Sequence, residues 1–397
     1  MSLTYNKLIE FNLLDDAEKE LMQSTDKLMI FINSFQEILN TDKFIRDCPS
    51  FPASTKNIIR DELISAIGST LAIEGIKPKE EEIKQTLDNP SREDNLKRIQ
   101  REIVNSKNVY DYVRAIVDEN KEDNFTYKVE HISRIHELFT ENIQYFGNYP
   151  GRYRNANASF GVPRKISLCE SWVEIDKAMD GFIIWLNRKS EGFFTNSVIA
   201  KAIMAHYYLT EIHPFGDGNG RTARAVEAMV LYANKMNPYS FWSLANFWSL
   251  HRNEYITHLG NIRDTYNPID FIIWGAQGYL EEIQRVKERI LKKVKQLMLQ
   301  DYVRWLLDTK KYHKGEQKIN PRILRIVELL KESDRVLLDK FRSSPEYKTL
   351  YAHSSNMTQI RDLTKMAALG LIKIVTEDNK NYIALNYSIL EQLEYKV

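Results

Sequence analysis

His213-Pro214-Phe215-Gly216-Asp217-Gly218-Asn219-Gly220-Arg221-Thr222-Ala223-Arg224 is the stretch around which the rest of the chain is organised. Upstream, Ile199, Ala202, Ile203 and Leu209 recur at helical spacing and predict a helix over roughly 196–211. Downstream, Val226, Met229, Val230 and Ala233 repeat at i, i+3, i+4, i+7 and predict a second helix. Pro214 and Gly216 stop the first helix, and Gly218 to Gly220 open the second. A glycine-rich turn feeding a helix offers unpaired backbone N–H groups and the positive end of the helix dipole, an anion site suited to phosphate. Arg221 and Arg224, three apart on one side of the new helix, are placed to clamp outer phosphates. Asp217 is a poor neighbour for phosphate unless a divalent cation stands between them, which implies Mg2+. His213, ending the first helix beside the same pocket, is placed to take a proton from an incoming hydroxyl. There is no Gly-x-x-x-x-Gly-Lys-Ser/Thr run, and the glycines follow a helix rather than a strand. Neither a P-loop nor a dinucleotide-binding turn is therefore present.

With every fixed position matched, His213 to Arg224 resembles the signature of the Fic (Fic/Doc) family, His-x-Phe-x-Asp/Glu-Gly-Asn-Gly-Arg-x-x-Arg. The resemblance implies a mainly α fold with a Fic-type helical bundle core and a small β-hairpin flap. It implies transfer of AMP from ATP to a protein hydroxyl. Carried over position by position, His213 is the general base, Phe215 anchors the loop and Asp217 holds Mg2+ against the α- and β-phosphates. Gly218, Asn219 and Gly220 form the anion nest, and Arg221 and Arg224 grip the β- and γ-phosphates. Gly220 stands where the kinase-like branch of the family carries Lys, so the resemblance is to AMP-transferring members.

A second motif lies far upstream. Leu63, Ile67 and Leu71 stripe a helix over roughly 54–73, with Gly75 in its capping position. Thr70-Leu71-Ala72-Ile73-Glu74-Gly75 resembles the family's inhibitory motif, Ser/Thr-x-x-x-Glu-Gly/Asn. Thr70 and Glu74 share a helix face. A glutamate inserted beside Arg224 would occupy the space and charge that the γ-phosphate needs, leaving ATP unfit for in-line attack. That placement marks the subclass whose inhibitory helix precedes the core in the same chain.

The length of 397 residues suits two or three domains, and 43% hydrophobic with 27% charged residues is a globular balance. A net charge of +1 gives no global pull toward nucleic acid or membrane. Cys48 and Cys169 have no metal or disulfide-framework spacing, which suits a reducing cytoplasm. No leader pattern and no run of membrane-spanning length is apparent, so no membrane partner is expected.

Further helices are expected over 1–50, over 94–119 with Ile99, Ile103, Val109 and Val113 inward, over 128–143, and over 170–188 with Trp172, Ile175, Met179 and Ile183. The polar 147–165 segment resembles the family's flap, which docks the target protein's backbone by strand addition across 151–165. Phe241, Trp242, Phe247 and Trp248 read as core, with the adenine border as the alternative. A long helix spans 268–308, weakened at its start by Gly275 and Gly278. The basic 309–318 stretch reads as a linker. The expected domains are thus 1–90 with the inhibitory helix, 91–308 as catalytic core, and 309–397.

That last region shows a helix, a second helix over 354–369, then a hairpin, which resembles a winged-helix (α+β) domain. On its second helix Ile360, Leu363 and Ala367 are expected inward, with Ser354, Thr358, Arg361 and Lys365 outward as a recognition face. Its basic surplus is modest, which leaves DNA, a protein partner and a second copy of the chain all open. The leading functional expectation is a protein adenylyltransferase held in check by Glu74. The alternatives are removal of AMP by the same site and a DNA-binding regulator with a nucleotide-sensing core.

Overall fold

A computed structural model of the chain describes residues 11–48, 52–89, 96–120, 122, 124–144, 147–157, 159–160, 165–166, 172–189, 191–237, 244–308, 321–331 and 333–393. It divides into two compact units, 1–287 and 288–397.

The first unit is almost wholly helical. In chain order it holds α1 (Leu13–Leu21), α2 (Thr25–Asp47), α3 (Pro52–Ile73), α4 (Glu80–Asp88), α5 (Arg98–Asp118) and α6 (Val129–Thr140). After a short hairpin of β1 (Ser159–Phe160) and β2 (Lys165–Ile166) come α7 (Ile175–Asn187), α8 (Val198–Ile212), α9 (Asn219–Ala233), α10 (Ala245–Leu250) and α11 (Arg252–Thr265). The 40-residue helix α12 (Ile269–Asp308) runs on into the second unit.

The antiparallel pair α8 and α9 is the centre of the bundle. Ile199, Ala202, Ile203, Leu209, Val226, Met229 and Val230 are all essentially inaccessible. The opposite faces are buried as well, at Tyr207, Tyr208, Ala225 and Ala228. A helix buried on every side must be ringed by others, and here α5, α6 and α7 surround the pair. The loop joining these two helices is therefore anchored at both ends in the core.

Most helix expectations are met within a few residues, but two faces differ. Ile99 is exposed in the first turn of α5, and Trp172 lies exposed in a 3-10 turn before α7. Gly278 does more than weaken α12: a side chain there would collide with the ring of Phe247. Phe247 and Trp248 are core residues, whereas Phe241 and Trp242 lie outside the described residues. No described helix is long and apolar enough to cross a membrane.

The second unit takes its first layer from the end of α12, through Leu299, Val303 and Leu306. These pack with α13 (Pro321–Leu330), whose Ile323, Ile326, Val327 and Leu330 are buried. The division between units falls inside α12 because its last turns supply core to the C-terminal elements, and the expected linker at 309–318 lies outside the described residues. Then come β3 (Val336–Leu337), α14 (Leu338–Ser343), α15 (Pro345–Leu350), α16 (Asn356–Ala368), β4 (Ile372–Glu377), β5 (Lys380–Leu385) and α17 (Ser388–Leu393). The sheet order is β3-β5-β4, antiparallel, with Ile374 opposite Ile383. Asp378 and Asn379, both at positive φ, make the hairpin turn.

The inward face of α16 differs from expectation. Asp362, Leu363 and Met366 are buried, while Ile360 and Ala367 are exposed. The cause is a buried polar anchor: Asp362 accepts hydrogen bonds from Arg322 Nε at 2.9 Å and Tyr351 Oη at 3.0 Å. An apolar-only periodicity cannot register an inward carboxylate.

Candidate active site

The site is built around the turn between α8 and α9. His213 ends α8 as its C-cap with φ 50 and ψ 56, a left-handed conformation rare for a residue with a side chain. Its N–H still bonds Leu209 O at 3.1 Å, so the ring is fixed at the end of a regular helix. Nδ1 lies 3.2 Å from Thr210 O; a carbonyl only accepts, so Nδ1 carries the proton and the basic lone pair belongs to Nε2. Burial pushes the imidazole down to about 4, with the cation of Arg154 adding to the effect. At neutral pH His213 is an uncharged base.

The loop is closed on itself by Asn219. Its Oδ1 accepts from Phe215 N and its Nδ2 donates to Phe215 O, both at 2.9 Å, and Asn219 is buried. Its side chain thus serves the loop, and only its backbone faces the nest. Phe215 is fully buried and stacks on His136 with ring centroids 3.7 Å apart. Gly218 at φ 78 turns the chain into α9, whose first-turn N–H groups are placed where an anion could be held.

Two residues that sequence reasoning missed hold this loop from outside. His136, on α6, accepts from Gly151 N through Nδ1 at 3.0 Å and donates from Nε2 to Asp217 O at 2.9 Å. Burial pushes its ring down to about 4, which keeps it in that neutral, two-way state. Arg154 is buried; its Nε donates to His213 O at 2.9 Å and its N–H to Pro214 O at 2.8 Å. Nothing in the spacing of His136 distinguishes it from an ordinary helix histidine, whereas Arg154 closes the Gly151-Arg152-Tyr153-Arg154 run that resembles the start of the family's flap but carried no role there. Arg154 Nη1 also donates to Ala156 O, two residues on, at 2.7 Å. The hairpin pairs Ser159 with Ile166 and Phe160 with Lys165, while 158 and 161–164 lie outside the described residues.

The two arginines of the motif have different surroundings. Arg221 is buried against Glu102, with Nη1 donating to Oε2 at 2.5 Å, and its Nη2 lies 3.6 Å from Asp217 Oδ1. Glu102 on α5, a third residue missed in sequence, thus fixes Arg221 beneath the glycine turn. Arg224 faces α3. Its Nε donates to Thr70 Oγ1 at 2.9 Å, and its Nη2 donates to Thr70 O at 3.1 Å and Glu74 Oε1 at 2.6 Å.

Glu74 reaches that position because of how α3 ends. Gly75 sits at φ +87; Ile76 N bonds Leu71 O and Gly75 N bonds Ala72 O, both at 3.0 Å. This is the Schellman arrangement that stops a helix at a left-handed glycine. Arg252 Nε adds a bond to Ile73 O at 3.1 Å. Burial alone would raise the Glu74 carboxyl, but the charge and hydrogen bond of Arg224, with Arg221 and Arg252 behind, outweigh it and hold the group below its ordinary value. The carboxylate fills the space over Gly220, where an added Cβ would lie 2.5 Å from Glu74 Oε1.

Asp217 keeps 44% of its side chain accessible. Among the described residues no three ligating side chains cluster. One accessible carboxylate beside an anion nest nevertheless fits Mg2+, which takes most of its ligands from water and phosphate.

Part of the chain is similar to known proteins. Residues 124–231 match the model of the Fic/DOC family. The protein adenylyltransferase Fic of Aedes aegypti is 32% identical over 111 residues, covering 25% of this chain and 21% of that protein. The protein adenylyltransferase fic-1 of Caenorhabditis elegans is 43% identical over 54 residues, 14% of this chain and 10% of its own length. The chain thus spans about a fifth or less of the curated relatives it matches. Among solved structures, a Fic family protein from Desulfovibrio desulfuricans aligns with TM-score 0.54 at 16% identity, over 90% of this chain and 95% of that one. Fic-1 (aa134 - 508) of C. elegans aligns with TM-score 0.55 at 18% identity, over 68% and 75%. At such identities these likenesses establish the fold.

Proposed function

We propose, from the premise that this chain carries a Fic-family domain, that it is a protein adenylyltransferase held in check by Glu74. The observation that carries the reading is the 2.6 Å ion pair between Glu74 and Arg224, placed over the same glycine turn that His213 borders. An anion nest, a neutral base and a carboxylate blocking one arginine make sense together as a triphosphate site in its restrained state.

With Glu74 withdrawn, Arg224 receives the γ-phosphate and the N–H groups at the start of α9 receive the inner phosphates. Asp217 is the residue that would hold Mg2+, which offsets phosphate charge when bound. His213 Nε2 takes the proton of a Ser, Thr or Tyr hydroxyl. The oxygen attacks the α-phosphorus, the bond between that phosphorus and the bridging oxygen breaks, and pyrophosphate leaves with the electron pair. The β1–β2 hairpin, which follows Arg154 along the chain, presents the target's backbone beside His213.

The test is incubation of Glu74→Gly with α-labelled ATP, Mg2+ and candidate proteins. Label is expected on protein and lost on adding His213→Ala. No label on any protein, the chain itself included, overturns the reading. Glu74 is held ionised and keeps 36% of its side chain accessible, which favours one second reading: orientation of water for removal of AMP from a modified protein. AMP release that disappears in Glu74→Gly selects that direction.

A further inference from the structure

A cavity of about 510 Å³ lies at the end of the α8–α9 pair remote from the catalytic turn. Val198 and Lys201 border it from the start of α8, and Asn234 and Lys235 from the end of α9. The close of α7 and the stretch leading into α6 complete its wall. The 15 residues of α8 put about 22 Å between this end and His213, so the cavity is separate from the nucleotide turn. Its volume is that of a small-molecule site.

The charge around it is one-sided. Arg188, Lys189, Lys201 and Lys235 line it, and no described lining residue is a carboxylate. Arg188 is answered from outside the cavity by Asp15. Glu18, the other acid close by, is spent on the N–H groups of Phe194 and Thr195, at 3.2 and 3.3 Å. Lys201 Nζ donates to Arg188 O at 3.0 Å, capping α7. That bond uses one of three donors. A lysine serving only as a cap could keep its ammonium in solvent, yet burial, with the charge of Arg188 beside it, pushes Lys201 down to about 8. No anion offsets either influence, and at neutral pH the group is still charged. A half-buried cation without a counter-ion is costly, and an entering anion removes that cost.

Tyr127 supplies a second donor. Its hydroxyl, on a side chain only 5% exposed, accepts from Asn234 Nδ2 at 3.2 Å. Among the described residues no acceptor is set against the phenol's own proton. Burial holds that phenol well above its ordinary value, so the proton stays. The residue is fixed in place: the Asn187 side chain bonds both Tyr127 N and Tyr127 O at 2.9 Å, and the Phe125 ring stands edge-on with centroids 5.1 Å apart.

We propose that this cavity binds a phosphate monoester of a small organic molecule, with the Lys201 ammonium and the Tyr127 hydroxyl donating to the phosphate. Phosphate presents three terminal oxygens to several donors and suits a group of ammonium point charges. The volume exceeds what phosphate alone fills, and Phe125, Leu186 and Val198 give the organic part an apolar wall. The inference does not depend on the proposed function.

The test is residue-resolved, so that phosphate held at the catalytic turn does not count. The full chain is acetylated sparingly with acetic anhydride, with phenyl phosphate, inorganic phosphate or sodium chloride at equal ionic strength, and each lysine is read by peptide mass spectrometry. Exposed Lys19 on α1 is the reference. Labelling of Lys201 is expected to fall at least about twofold in millimolar phenyl phosphate, as half-occupancy requires, with Lys19 unchanged. In Tyr127→Phe the phenyl phosphate needed for that protection is expected to rise about tenfold, the size of one charge-assisted hydrogen bond. Protection equal at Lys19 and Lys201, or equal in sodium chloride, means screening alone and overturns the proposal, as does no protection. Inorganic phosphate protecting as well as phenyl phosphate overturns the assignment to an ester. Unchanged protection in Tyr127→Phe overturns the role of the hydroxyl; should that variant fail to fold, the parent protein decides by itself.

Discussion

Glu74 Oε1 lies 2.6 Å from Arg224 Nη2, across a sequence separation of 150 residues, and directly above Gly220. One carboxylate thus neutralises a fully buried guanidinium and fills the entrance to the glycine turn at once. Removing it does two opposed things. Glu74→Gly is expected to raise AMP transfer and ATP affinity by tenfold or more. It is also expected to lower folding stability by about 1 to 2 kcal/mol, a moderate figure because Glu74 is partly accessible. Transfer assays paired with thermal melts check this. A rise in activity with no loss of stability would mean the ion pair contributes little to the fold.

The pH profile is set by His213. Its folded-state value of about 4 is due first to burial, and the charge of Glu74 raises rather than lowers it. In Glu74→Gly the base should therefore titrate no higher. The expected kcat/KM is flat from pH 8 down to about 5 and falls only on approaching 4. A profile breaking near 6.5, the ordinary histidine value, would contradict the burial argument.

Restraint itself should be insensitive to mild acid. The Glu74 carboxyl is held below its ordinary 4.5, so the stability contributed by the pair is complete above that value and lost as pH falls through the lower, folded one. The stability difference between the parent and Glu74→Gln is expected to stay constant from pH 8 to pH 5 and to shrink only below about 4.5. Denaturant melts across that range measure it.

Gly75 is a separate control on Glu74. An added Cβ would touch nothing within 4 Å, so Gly75→Ala meets no steric obstacle, only the cost of φ +87. That cost is about 1 kcal/mol, and it loosens the helix end that aims Glu74. Partial activation is expected, smaller than for Glu74→Gly, with Gly75→Asn close to the parent because asparagine tolerates that backbone. Activation by Gly75→Ala equal to that of Glu74→Gly would show that the cap, not the carboxylate, carries the restraint.

Arg154 tests the loop. It holds the carbonyls of His213 and Pro214 and is remote in role from the phosphates. In a Glu74→Gly background, Arg154→Lys is expected to lower kcat at least tenfold with little change in ATP affinity, since a misplaced base loses rate rather than binding. Equal loss of ATP affinity would show that the loop as a whole had collapsed.

How much of this could be read in advance varies with where the chemistry lies along the chain. The turn from His213 to Arg224 was legible because its base, glycines and arginines are contiguous, and helical periodicity on either side gave the geometry. Glu74 was reached through a family resemblance, since spacing alone says only that Thr70 and Glu74 share a face. The face of α16 was misjudged because Asp362 is buried with Arg322 and Tyr351 as partners, a pairing that no apolar pattern records.

From residue order alone come the helix–turn–helix and the candidates for anion nest and base, for these depend on backbone preferences and side-chain chemistry within a dozen neighbouring residues. Folding in three dimensions made the remaining assignments: Glu102 to Arg221, His136 and Arg154 to the loop, and Tyr255 and Glu227 to His206. Each of these joins groups from separate stretches of the chain at buried positions, where a polar atom must find a partner wherever the packing brings one. Such partners arise from the close packing of whole helices, and that is a property of the assembled bundle.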